Sequence, residues 1–223
     1  MQKRRSTRPR SARLLALAIL VVCAIGAGAT AAPAPGLLGR VLKVGYLGCS
    51  QTTGSVQGYH SLGGARLWHT IEYGGGAINR WSAPNSTYWQ RFDAAYRAHP
   101  ALTIWWQLCV LAGGVEYNVS QARLVLAQIR LHAPGSVIYV SGQNGYVAPH
   151  RCNLGPPNAA LIAETVATRL IAGGGGVLRG PKMSDLRGPD SAGPGPTETD
   201  AGGCHPNALG RTKLGANLRA FFG

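Results

Sequence analysis

Apolar positions along this chain fall into short runs of two kinds. Residues 41–47 (VLKVGYL) are rich in β-formers and lead into Gly48-Cys49-Ser50, the pattern of a strand entering a turn. Residues 67–72 (LWHTIE) predict a second strand that ends at Tyr73 and three glycines, Gly74–Gly76. Residues 86–98 then change period: Trp89, Phe92 and Tyr96 share one helical face, and His99-Pro100 closes the helix. The near-continuous apolar run 102–108 (LTIWWQL) predicts a strand covered on both faces. Residues 119–132 read as a helix with Leu124, Leu126, Ile129 and Leu131 on its apolar face, stopped by Ala133-Pro134-Gly135. A strand at 136–141, a helix at 157–171 and a short fifth strand within 174–180 follow. Residues 181–204 are a loop rich in Gly, Pro, Ser and Asp. Residues 206–222 are framed as a helix by Pro206 at its first turn and Gly223 at its end.

Strands alternating with helices predict βαβ units, a mainly parallel five-stranded sheet and a three-layer α/β/α sandwich in one domain. Ligands of such folds bind beyond the carboxyl ends of the strands. Those ends carry Ser50, Gly74–Gly76, Cys109 with Gly113-Gly114, and Gly142–Asn144.

Composition sharpens this picture. Apolar residues make up 45% and charged residues 13%, which excludes a disordered chain. The net charge of +14 suggests a nucleic-acid binder, but Lys3, Arg4, Arg5, Arg8, Arg10 and Arg13 sit at the extreme N-terminus. Without those six, 16 basic residues face 8 acidic ones, scattered singly with no stripe, so no nucleic-acid partner is expected. The basic segment 2–13, the apolar 14–25 and the small residues 26–34 form the three regions of a secretory signal peptide. The expected organisation is therefore a signal and cleavage region at 1–34 and a secreted domain at 35–223. No run of about 20 apolar residues follows, so no membrane attachment is expected after cleavage. The domain reads as a monomer.

Export leaves Cys49, Cys109, Cys152 and Cys204, an even number in an oxidising compartment. Spacing alone does not choose among the three pairings, and no CxxC is present. Cys49 and Cys109 each follow a predicted strand, as packed thiols or a bridge.

Chemistry concentrates at two places. Ser50 follows the first strand, and His205 opens the last helix, five residues after Asp200. A serine hydroxyl becomes a nucleophile when an imidazole takes its proton, and a carboxylate fixes that imidazole's tautomer. The order Ser50, Asp200, His205 suits an ester or acyl hydrolase that needs no cofactor and no metal.

GCS-x-T after the first strand, the glycine turn after the second and DAGGCHPNALG before the final helix resemble the SGNH, or GDSL-type, hydrolases. The resemblance spans nearly the whole mature chain, and CHPN at 204–207 is its most specific part. It implies a flavodoxin-like sandwich and an esterase, lipase or carbohydrate deacetylase activity. Carried over, Ser50 is the nucleophile and His205 the base. The backbone N–H groups of Ser50 and of Gly76 (or Gly75) bind the oxyanion. It also implies a Cys152–Cys204 disulfide beside the site; the rival for that cluster is a zinc site made by His150, Cys152, Cys204 and His205. Three positions depart from the family pattern. Cys49 replaces the aspartate beside the serine, and Leu111 stands where the oxyanion asparagine falls. Gly202 stands where the acid falls, three residues before the histidine. Asn144 or Gln107 is the expected substitute donor, and Asp200 the substitute acid. Among the five tryptophans, Trp81 and Trp89 are weighed as a substrate subsite against a place in the core. A non-catalytic exported binding domain is the alternative reading of the chain.

Overall fold

The computed structural model describes residues 43–112 and 117–223. The expected signal region 1–34 and the Gly113-Gly114 pair lie outside them. The described strands are β1 (Lys43–Leu47), β2 (Ala101–Leu108), β3 (Val137–Gly142) and β4 (Val177–Arg179). They form one parallel sheet in the order β1-β2-β3-β4. The helices are α1 (Ser50–Ser61), α2 (Ile78–Trp81), α3 (Thr87–Ala98), α4 (Val119–His132), α5 (Ala159–Ala172) and α6 (Ala208–Phe222). The fold is thus α/β with a parallel sheet, as the alternation of periods predicts.

The sheet has four strands among the described residues, not five. The segment 67–72 keeps a single parallel bridge, Val44 to Leu67, and then leaves β1. Side chains take over the hydrogen bonds that a ladder would have made. Tyr46 Oη donates to the His69 carbonyl at 3.1 Å and accepts the Ile71 N–H at 2.6 Å. Thr53 Oγ1 donates to the Ile71 carbonyl at 3.0 Å and accepts the Tyr73 N–H at 3.3 Å. With its backbone satisfied in this way, the segment has no need of a strand partner.

The core is aromatic on the β1 side. All five tryptophans, Trp68, Trp81, Trp89, Trp105 and Trp106, are buried, so Trp81 and Trp89 belong to the core and not to a subsite. Trp81 and Trp89 meet edge to face with ring centroids 4.8 Å apart, a favourable arrangement of aromatic quadrupoles. In α4 the apolar face is rotated from the expected one. Ala122, Val125, Leu126 and Ile129 are buried, while Leu124 and Leu131 face solvent.

The sequence pattern does not predict α1, whose residues SQTTGSVQGYHS have no apolar stripe and two glycines. Its stability comes from contact with α6. A Cβ at Gly58 would lie 1.8 Å from the Arg211 carbonyl oxygen, and one at Gly215 would lie 2.2 Å from the Gly58 carbonyl carbon. The two helices therefore touch backbone to backbone. This contact matters for the site because Ser50 is the first residue of α1 and His205 lies three residues before the start of α6.

Candidate active site

The carboxyl ends of β1, β2 and β3 open onto a cleft of about 280 Å³ whose lining includes Ser50, Gln143, Tyr146 and His205. Ser50 Oγ lies 3.0 Å from His205 Nε2, and His205 Nδ1 lies 3.2 Å from Asp200 Oδ2. A carboxylate only accepts hydrogen bonds, so the proton of the neutral ring sits on Nδ1. Nε2 then presents its lone pair to the serine hydroxyl, the arrangement needed to take a proton from it.

Asp200 reaches His205 from five residues away because the intervening turn closes on itself. Asp200 N–H donates to the His205 carbonyl at 2.7 Å, and Gly203 N–H donates to the Asp200 carbonyl at 2.9 Å. Gly203 has φ of +72°, a conformation glycine adopts without strain. Asn207 fixes both sides of this turn. Its Oδ1 caps α6 by accepting from Leu209 and Gly210 N–H, and its Nδ2 donates to the carbonyls of Thr197 and Thr199. Burial pushes the Asp200 carboxyl up, but hydrogen bonds from the Cys204 and His205 amides and from the His205 ring outweigh it and hold the group below the usual carboxylate range.

Two disulfides frame the pair, Cys49–Cys109 and Cys152–Cys204. Each candidate reactive residue directly follows a half-cystine: Ser50 follows Cys49, and His205 follows Cys204. The first bridge ties the start of α1 to the end of β2, and the second ties the histidine turn to the loop before α5. With Cys152 and Cys204 joined to each other, they are not thiolate ligands for zinc. No group of three or more metal-binding side chains occurs among the described residues.

Tyr146, which sequence reasoning missed, links the two halves. Its hydroxyl accepts from Gln51 Nε2 at 2.6 Å, beside Ser50, and donates to the Cys204 carbonyl at 2.6 Å, beside His205. Burial, with help from the Asp200 charge, pushes its hydroxyl up to about 12, so it stays a donor at any ordinary pH.

The expected oxyanion donors fare differently. Ser50 N–H stands at the first turn of α1, where helix amides have no intrahelical acceptor. Gly76 N–H is committed to the Tyr73 carbonyl at 2.9 Å. A Cβ at Gly76 would fall 2.1 Å from the Gly48 carbonyl oxygen, so that glycine serves a close backbone approach. Asn144 is buried, and its Nδ2 turns to the Gly145 carbonyl at 3.4 Å. Gln107 is buried under α1 with its Oε1 accepting from Thr52 Oγ1 at 2.7 Å. None of Gly76, Asn144 and Gln107 lines the Ser50 cleft.

Compared with known proteins, the chain matches no family model and no curated protein. Val110, Leu111, Leu154, Pro156 and Leu161 give the cleft an apolar wall, and Leu154 and Leu161 are exposed beside it. Among the described residues no helix is long and apolar enough to cross a membrane.

Proposed function

We propose that this chain is an exported serine hydrolase of the SGNH type that cleaves carboxylic esters. The observation that carries the reading is the unbroken line of hydrogen bonds from Ser50 through His205 to Asp200 at one end of a parallel sheet. Ser50 Oγ attacks the ester carbonyl while its proton passes to His205 Nε2. Asp200 keeps the ring oriented and supports its transient positive charge. Collapse of the tetrahedral intermediate expels the alcohol, which takes the proton from His205. Water, deprotonated by the same imidazole, then attacks the acyl-serine and releases the acid. Ser50 N–H is one donor to the oxyanion. The apolar wall at Val110, Leu111 and Leu161 receives the acyl group, which favours esters of apolar acids over sugar acetates. The reading carries with it the flavodoxin-like three-layer sandwich and action as a monomer outside the cell, a setting with which two disulfides are compatible.

The test is hydrolysis of p-nitrophenyl esters by wild type and Ser50→Ala, together with labelling by a fluorophosphonate. Wild type is expected to turn over and label at Ser50, and Ser50→Ala to do neither. Equal rates in both proteins overturn the reading. The leucine at 111, where the family has an asparagine, favours a second reading, a binding domain that keeps the fold without the reaction. A folded wild type that resists the fluorophosphonate would select it.

A further inference from the structure

We infer that the side-chain amide of Gln143 is the second oxyanion donor, taking over from another strand the work of the amide missing at Leu111; this rests on the hydrolase reading above. An oxyanion hole needs donors fixed before the reaction begins and aimed where negative charge develops. Around Ser50 most backbone donors are already engaged. Val110 N–H donates to Gln143 Oε1 at 2.6 Å, Leu111 N–H to Tyr117 Oη at 3.2 Å, and Ala112 N–H to the Leu154 carbonyl at 2.7 Å. Gly76 N–H is held by Tyr73, and both ring nitrogens of His150 face acceptors. Arg151 and Asn158 line the cleft but are exposed, and among the described residues no hydrogen bond fixes their side chains.

Gln143 differs from all of these. It follows β3 by one residue, is half-buried and lines the cleft with Ser50 and His205. The Val110 amide can only donate, so the atom facing it is the oxygen of Gln143 and the other end of the group is the NH2. That NH2 makes no hydrogen bond among the described residues. Its placement relative to the serine is also constrained. Ser50 follows Cys49, which is bonded to Cys109, and Cys109 precedes the Val110 whose amide anchors Gln143. One disulfide and one hydrogen bond therefore connect the proposed nucleophile to the proposed donor. In the reaction no proton leaves Gln143: its N–H bonds to the carbonyl oxygen shorten as that oxygen gains charge, and relax when the acyl-serine forms.

The experiment uses Gln143→Glu and Gln143→Met in the otherwise intact protein. Glu keeps an acceptor for the Val110 amide but loses the donor; Met loses the donor without adding charge. Both are expected to lower kcat on p-nitrophenyl esters by about 10²–10³-fold with KM changed only a few-fold. A folded variant of either kind with kcat within a few-fold of wild type overturns the proposal. Because either variant could lower the folded fraction, the rates are also compared on an oxygen ester and its thionoester, whose sulfur is a weak hydrogen-bond acceptor. The ratio of the two is independent of how much enzyme is folded. It is expected to fall at least about tenfold from wild type to Gln143→Met, and an unchanged ratio overturns the inference. Failure of the hydrolase reading looks different: Ser50→Ala would then match wild type whatever stands at 143.

Discussion

Two histidines line the cleft, each facing an aspartate, and the two pairs are built for different work. His205 faces Asp200 with Nδ1 and the Ser50 hydroxyl with Nε2. His150 is hydrogen-bonded to Asp190 through Nδ1, but its Nε2 lies 2.6 Å from the Gly203 carbonyl. A hydroxyl has a proton to give; a carbonyl has none. His150 is also buried, and a Cβ at Gly188 or Gly203 would fall within 2.7 Å of its ring, so it is clasped on both sides. His205 is half-exposed in the cleft. Pairing with a carboxylate therefore does not single out a base. The group at the second nitrogen, and the room around the ring, separate the proposed base from a strut that holds the turn carrying it.

The same substitution at the two histidines should break them apart most sharply. His205→Leu is expected to lower ester hydrolysis by about 10⁴-fold or more with the melting temperature nearly unchanged. His150→Leu is expected to keep kcat within a few-fold per folded molecule while costing about 1–3 kcal/mol in stability, read by denaturant unfolding. If His150→Leu lost activity as His205→Leu does, the distinction would collapse. At the carboxylates, Asp200→Asn should cost about 10²-fold or more in kcat, because an amide facing Nδ1 permits the wrong tautomer, whereas Asp190→Asn should leave kcat close to wild type.

The smallest effect is on pH dependence. Hydrogen bonding from His150 holds the Asp190 carboxyl below the usual range, and the amides around Asp200 do the same there against the pull of burial. A carboxyl lowered in the folded state stabilises the protein above its unfolded value of about 3.9, and that stability is lost as pH falls through the lower folded value. Melting temperatures between pH 2 and 6 should therefore drop below about pH 4. The drop should be shallower in Asp190→Asn and Asp200→Asn. An unaltered slope in both would show that neither carboxyl is held down.

Legibility from the sequence followed locality. Helix α3 and strands β2 and β3 declare themselves because their own residues carry the period of their burial, whereas α4 is legible as a helix but not in which face it buries, and α6 is legible from the residues that frame it. Helix α1 does not: its low-propensity, glycine-bearing sequence becomes helical only against α6. The segment 67–72 misleads in the opposite direction, since its β-forming residues are engaged by Tyr46 and Thr53 instead of by a ladder. At the site, Ser50, His205 and Asp200 are readable from motif order. Which amide is unengaged is not. Asn144 and Gln143 are neighbours of similar chemistry, yet successive residues leaving a strand face opposite ways, and only Gln143 lines the cleft. Tyr146 has no sequence signal at all; its role depends on two partners, Gln51 and Cys204, distant in the chain.

Where α1 crosses α6, each helix has already given up its side chain at the point of closest approach. In most helix pairs a bulkier residue on one side is accommodated when its opposite number shrinks. Here nothing smaller remains to substitute, so neither position has a compensating partner. Divergent descendants of this protein should keep glycine at 58 and 215 more stubbornly than the apolar residues of the core, which can exchange volume among themselves.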